Sequence, residues 1–217
     1  MGKIVSHLSP EYKALKIPHT NGAYFYSVDL VNNIIPKIKT DRNWILINAE
    51  HQCFDHSIVF IHNNAHPERY TWLIGHKDLI LVCSTYYSLK IMQIMFPKFH
   101  CIYIPLSIDT KYVKQFKPKR KSKDTAFFGR LCKCPQEILE NDKITKIAGD
   151  NRESLLKEVG KYKNVYAIGR CALEAKCLGC NVRNHKGEYD GEKFRLLDNK
   201  DIIPELQRLI NEIDGKV

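Results

Sequence analysis

Short apolar runs alternate with amphipathic stretches along nearly the whole chain. The apolar runs are rich in Ile, Leu and Val, which predicts buried β-strands. In the stretch 28–39 most apolar residues fall on one side of a helix, which predicts an amphipathic helix. In the first half the pattern predicts strands at 2–7, 44–48, 57–61, 79–83 and 101–104, and helices at 28–39, 67–74 and 84–95. Short apolar strands separated by helices predict a parallel sheet covered on both faces.

The same alternation starts again after a basic, proline-containing stretch that ends at Asp124 and has the character of a linker. We place a domain boundary near residue 115, within this stretch. The second half has predicted strands at 125–128, 145–148, 164–167 and 181–183, and predicted helices at 135–141, 152–160, 171–178 and 201–213. The predicted fold class is therefore α/β, with one domain over 1–115, a second over 116–217 and a cleft between them.

Length and composition agree with two compact halves. The chain has 217 residues, of which 44% are hydrophobic, and its apolar runs are far shorter than the roughly 20 residues that span a bilayer. Its eight cysteines lie in apolar runs, unlike those of a small secreted disulfide scaffold. We expect a reducing compartment and a cytoplasmic location. The opening MGKIVS fits a myristoylation pattern as well as the start of a first strand, so peripheral membrane contact stays open.

The formal net charge of +10 favours anionic partners. Candidates are a nucleotide diphosphate, a nucleic acid such as DNA and an acidic membrane surface. The densest positive charge lies within residues 114–123, which also fits a solvated basic linker. Charge alone does not choose among these partners.

Two glycines follow predicted strands in the second half, and each is followed by an arginine. Gly129 precedes Arg130, and Gly169 precedes Arg170 at the start of a predicted helix. A glycine at this place lets backbone N–H groups at the helix start approach a phosphate, and an arginine adds a charge-assisted contact. Glu174 lies one turn further along the same helix face, within reach of sugar hydroxyls. The alternative is an ordinary strand-turn-helix unit with a surface glutamate.

Three segments resemble, in order, motifs of the GT-B class of nucleotide-sugar glycosyltransferases. They are IPLSID at 104–109, AFFGRL at 126–131 and YAIGRCALEAKCLGC at 166–180. The resemblance implies two Rossmann-like halves, the first on the acceptor side and the second binding the donor. It also implies that Arg130, Lys133, Gly169 and Arg170 hold the donor diphosphate and that Glu174 binds the nucleotide ribose. Tyr166 stands where many members carry a second glutamate that touches the donor sugar.

The first half offers candidates for the reacting end of the site. His62 and Asn63 follow a predicted strand, where related enzymes often keep a histidine near the transferred sugar. We expect His62 to be catalytic and Asn63 to lie on the acceptor side. Asn21, in a turn ahead of the first long helix, is a further acceptor-side candidate. The alternatives are a structural histidine and an ordinary Asn-Gly turn.

We expect no metal and no cofactor beyond the donor substrate. Asp-x-Asp, a typical metal motif of the GT-A class, is absent, and GT-B enzymes generally use cationic side chains and helix ends instead. The pairs Cys132-x-Cys134 and Cys177-x-x-Cys180 leave a structural zinc site as an alternative. Packing of small apolar residues explains the second pair equally well.

The expected function is transfer of a sugar from a UDP- or GDP-type nucleotide sugar to an unidentified acceptor. Polysaccharide, lipid, protein and modified DNA base all stay open as acceptors. The alternative is a non-catalytic nucleotide or nucleic-acid binding protein on a degenerate GT-B scaffold, since Tyr166 replaces the second glutamate.

Overall fold

The structure is a computed structural model that describes residues 2–6, 22–48, 54–61, 67–149, 151–183 and 196–215. Its internal contacts divide the chain into two units. Among the described residues, 2–6, 23–106 and 200–215 form the first unit, and Gly22, 107–149, 151–183 and 196–199 form the second. This division differs from the expected one in two places, because 107–115 belongs with the second unit and the last helix belongs with the first.

The first unit is built on a five-stranded parallel sheet. Its strands pair in the order in which they follow along the chain, β1-β2-β3-β4-β5. They are β1 Ile4–Ser6, β2 Trp44–Asn48, β3 Ser57–Ile61, β4 Ile80–Cys83 and β5 His100–Tyr103. Every residue of β3 and β4 is buried, as their continuous apolar sequences predict.

Helical segments connect these strands. They are α1 Gly22–Asp29, a π-helical turn Leu30–Ile34, a 3-10 turn Ile35–Lys37, a 3-10 helix Pro67–Leu73 and α2 Tyr86–Met95. The predicted helix 28–39 is thus only partly α-helical. Pro36 explains its early end, because proline has no N–H to continue the hydrogen-bond ladder.

The second unit has a four-stranded parallel sheet. Its strands are β6 Lys123–Phe128, β7 Thr145–Ile147, β8 Tyr162–Tyr166 and β9 Asn181–Arg183. Its helices are α3 Thr110–Lys114, α4 Gln136–Leu139, α5 Arg152–Val159 and α6 Gly169–Cys177. The prediction of an α/β protein with two parallel sheets is confirmed.

The strand order of the second sheet, β7-β6-β8-β9, contains a reversal. From β6 the chain moves outward to β7 and then returns to β8 on the other side of β6. The carboxyl ends of β6 and β8 therefore flank a topological switch point, the place where open α/β sheets bind their ligands.

The last helix, α7 Asn199–Ile213, packs with the first unit from Lys200 onward. Gln207 donates from Nε2 to the carbonyl of Lys39 over 2.7 Å and accepts from the Lys39 N–H over 2.7 Å. Near the end of α7, Asp214 accepts from the Thr40 hydroxyl over 3.2 Å. These polar contacts connect segments that are distant in sequence, which explains why the pattern along the chain does not predict them.

The basic stretch before β6 is part of the second unit and not an open linker. Lys121 Nζ donates to the carbonyls of Gly160 and Leu178 over 2.8 and 2.9 Å, at the ends of α5 and α6. Lys123 pairs with Glu158 over 2.6 Å. Two of the cations in this stretch therefore have structural roles. In the described part of the chain, no helix is long and apolar enough to cross a membrane.

Candidate functional site

The predicted donor-site residues of the second unit lie at the carboxyl edge of its sheet. Gly129 and Arg130 follow β6 directly. Gly169 begins α6, three residues after the end of β8. Because β6 and β8 are paired neighbours, the fold brings these two turns to the same switch point.

Gly169 gives the chain its sharp entry into α6. Its φ is +54°, in the left-handed region that glycine adopts without a steric penalty. The preceding residue, Ile168, is the N-cap and has an apolar side chain that cannot cap the helix. The first backbone N–H groups of a helix have no partner within the helix, and the positive end of its dipole lies here. The start of α6 is thus suited to an anion.

Cations surround the start of α6. Arg130 is half-buried and Lys133, in a 3-10 turn just after it, is exposed. The positive charges of Arg170, Lys133 and Arg130 all act on the thiol of Cys171, so these three cations lie within electrostatic range of the first turn of α6. The pKa of Cys171 is nevertheless raised to about 12, chiefly by burial and also by the charge of Glu174.

Glu174 is the buried anion of this region. Its Oε1 accepts from Nε of Arg170 over 3.0 Å, one turn earlier on α6, and from Nη2 of Arg152 over 3.0 Å. Only 3% of Glu174 and 5% of Arg170 are exposed. The carboxylate is therefore held between two guanidinium groups, and the alternative that Glu174 is a surface glutamate is wrong.

Arg152 is a site residue that the sequence did not indicate. It begins α5, and its guanidinium carbon lies 4.9 Å from the ring centre of Tyr112 on α3. The side chain is only 15% exposed, which favours a cation–π contact of more than marginal strength. An arginine in the first turn of a helix next to polar residues has the sequence character of a surface residue, so only the fold reveals this role.

Tyr166 is the last residue of β8 and faces β9. Its hydroxyl accepts from Nη1 of Arg183 over 3.3 Å, and the Arg183 guanidinium carbon lies 5.8 Å from its ring centre. Position 166, where Tyr166 is compared with a glutamate on sequence alone, thus carries an aromatic ring paired with a cation.

The three predicted residues of the first half, His62, Asn63 and Asn21, lie outside the described residues. The structure describes β3 up to Ile61, immediately before His62.

The two cysteine pairs considered as zinc ligands have different environments. Cys132 is exposed, whereas Cys177 and Cys180 are buried. Cys177 lies 3.7 Å from the carbonyl of Thr110, and Cys180 lies 3.1 Å from Nζ of Lys121. Among the described residues, no group of three or more His, Cys, Asp or Glu side chains is arranged to hold a metal ion.

Comparison of the chain with models of protein families, with curated proteins and with solved structures finds no match.

Proposed function

We propose that the protein is a glycosyltransferase whose second unit binds a UDP- or GDP-type nucleotide sugar. The observation that carries this proposal is the convergence of two glycine turns, one followed by Arg130 and the other opening α6, at the switch point between β6 and β8. A diphosphate carries concentrated negative charge, and this edge offers backbone N–H groups, a helix dipole and cationic side chains.

The diphosphate binds at the start of α6 in this proposal. The N–H groups of the first turn donate to one phosphate, and Arg130 and Lys133 supply charge from the turn after β6. When the bond between sugar and phosphate breaks, negative charge builds up on the leaving diphosphate. Cations fixed beforehand stabilise that charge without reorganisation, and this is the main source of rate enhancement that we propose.

Glu174 binds the ribose in this proposal. Both guanidinium groups bind Oε1, so Oε2 is the oxygen to which a ribose hydroxyl would donate. Arg152 and Arg170 then act as positioning residues, because they fix the orientation of the carboxylate. Each of these two hydrogen bonds is charge-assisted, which favours a fixed position of the carboxylate.

A second candidate is a nucleotide-binding protein without transferase activity. The observation that favours it is Tyr166, which pairs with Arg183 where the related enzymes have a carboxylate for the donor sugar. Such a protein would use the same diphosphate site but would not position the sugar for transfer.

A turnover measurement distinguishes the glycosyltransferase from a nucleotide-binding protein without transferase activity. Purified protein is incubated with a panel of UDP- and GDP-sugars, and release of nucleoside diphosphate is measured with and without oligosaccharide acceptors. The transferase proposal expects release that falls on the order of 100-fold in Arg130→Ala, as for other removed groups that stabilise developing charge. Arg120→Ala is the matched control, because Arg120 is an exposed arginine of the same unit.

Nucleotide binding without turnover would favour the second candidate. Absence of both binding and turnover with every nucleotide would contradict the proposed site itself.

A further inference from the structure

On the first unit, the exposed Tyr86 stacks on the half-buried Tyr103. The rings of Tyr86 and Tyr103 lie with their centres 4.0 Å apart and their planes inclined by 25°. Tyr86 is 53% exposed, and its neighbour Tyr87 is 59% exposed. Large aromatic residues are costly to leave in water and are enriched where proteins bind partners. The stack is not part of the donor site, which lies wholly in the second unit.

The stack lies at the carboxyl edge of the first sheet. Tyr103 is the last residue of β5, and it is paired in register with Cys83, the last residue of β4. Tyr86 is the first residue of α2, three residues after β4 ends. Ligands of parallel α/β sheets bind outside the carboxyl ends of the strands, and these rings lie at that edge, although the order β1-β2-β3-β4-β5 contains no reversal.

The backbone beneath the stack is firmly held. Thr85 and Ser88 form a reciprocal capping box at the start of α2, with the Ser88 N–H donating to the Thr85 hydroxyl over 3.0 Å. The Ser84 hydroxyl donates to the carbonyl of Ile61, at the end of β3, over 3.1 Å. The tyrosines are therefore presented by a rigid support, which lowers the entropy lost when a ligand binds.

The two segments that carry the rings have no charge of their own, and the nearest cation along α2 is the exposed Lys90, one turn after Tyr86. No charged residue occurs in 79–89 or in 101–106, although 27% of the whole chain is charged and its net charge is +10. An anionic polymer would find a single cation, Lys90, beside these two segments, far fewer than the several phosphate contacts that nucleic-acid binding uses. The pKa of Tyr103 is raised by burial and by the neighbouring Tyr86, so the phenol stays neutral as well. The chemistry of this surface suits an uncharged ligand.

We propose that the Tyr86–Tyr103 stack is a binding platform for an uncharged saccharide. Sugar rings have an apolar C–H face that packs on an aromatic ring, and their hydroxyls exchange hydrogen bonds with phenol groups. The binding of a saccharide here does not depend on the proposed function. The further statement that this saccharide is the acceptor of the transfer rests on the proposed function. The proposal selects a neutral glycan over DNA among the acceptors that the sequence leaves open.

Titration of the full chain tests this. The probes are neutral oligosaccharides of glucose, mannose, galactose and N-acetylglucosamine, with single-stranded DNA as the anionic comparison, each at low and at physiological salt. We expect at least one neutral oligosaccharide to bind with an affinity that does not depend on salt. Tyr86→Ala should weaken this binding on the order of tenfold, and Tyr86→Trp should retain it. Ile94→Ala, at the other end of α2 and 77% exposed, is the control and should change nothing.

The proposal is overturned if no neutral oligosaccharide binds, if Tyr86→Ala binds as well as the wild type, or if only DNA binds and does so with a steep salt dependence. Nucleotide binding without saccharide binding would overturn the platform and leave the donor site standing. Saccharide binding without nucleotide binding would overturn the donor site and leave the platform standing.

Discussion

Arg152 donates from Nη2 to Oε1 of Glu174 over 3.0 Å, across 22 positions of sequence. The contact joins the start of α5 to the middle of α6. Since Arg170 binds the same oxygen, the residue expected to bind ribose is also the centre of a buried ionic cluster. Function and stability are therefore coupled at Glu174.

We expect Glu174→Gln to destabilise the protein strongly. Removing one partner from a buried ion pair leaves uncompensated charge and typically costs about 3–5 kcal/mol. The measurement is urea unfolding, with Glu153→Gln as the control. Glu153 pairs with Lys157 on the exposed face of α5, and its removal should cost no more than about 0.5 kcal/mol. Equal stability of the two variants would show that the cluster does not form.

Lys121→Met should lower stability by about 1–3 kcal/mol, because two carbonyls at helix ends lose their charged donor. Lys119→Met, two residues earlier and exposed, is the matched control and should stay within about 0.5 kcal/mol of the wild type. The free energy of unfolding of both variants is measured in urea. Similar values for the two would mean that the basic stretch is a solvated linker after all.

Gly169→Ala should cost about 1–2 kcal/mol of stability through its left-handed backbone and should also weaken nucleotide binding. Gly75→Ala separates the two effects. Gly75 has a φ of +94° and a Cβ there would meet nothing within 4 Å, so this variant carries backbone strain in the first unit only. Stability is followed by urea unfolding and affinity by titration with UDP and GDP. If both variants bind nucleotide like the wild type, the start of α6 is not the phosphate site.

Stability should fall as the solution becomes alkaline. Burial raises the pKa of Cys83 and Cys171 from 9.0 to about 12 and that of Cys101 to about 11. Well below pH 9 the folded and the unfolded chain both keep these thiol protons. The contribution of the protonated thiols to folding stability is therefore fully present there. As the pH rises towards 11–12 the unfolded chain loses protons that the folded chain retains, and folding becomes less favourable.

This dependence is measured by urea unfolding at about pH 8 and about pH 10.5. Other groups titrate in the same range, so the informative quantity is the difference between variants. Cys83→Ala should lose less stability between the two pH values than the wild type does. Cys132→Ser, at an exposed cysteine, should lose as much as the wild type. The opposite ranking would contradict the burial of Cys83.

The local pattern of the sequence predicts most elements, whereas relationships between distant elements needed the structure. Strands such as Trp44–Asn48, Ser57–Ile61 and Asn181–Arg183 are confirmed at the predicted bounds, because alternation and β-branched content are local properties. The pattern does not reveal the reversal of strand order around β6 or the packing of α7 with the first unit. The strand order and the packing of α7 both depend on contacts between elements that are distant in sequence.

The candidate site divides in the same way. The sequence predicts that Gly129, Arg130, Gly169 and Arg170 follow strand ends, because turn glycines and strand ends have local signatures. The buried ion pairs of Glu174 could not be found in this way, since Arg152 reaches it only through the packing of α5 near α6. Burial of a charged residue is a property of the fold.

The most direct test of the central claim is a nitrogen-15 amide spectrum of the protein, recorded while UDP or GDP is added. A diphosphate bound at the switch point should shift the backbone amide signals of Gly129 and Arg130 and those of the first turn of α6, from Gly169 to Cys171. The amides of 114–123 should change little. Shifts centred on the basic stretch 114–123, or no shifts with either nucleotide, would contradict the assignment of the donor site.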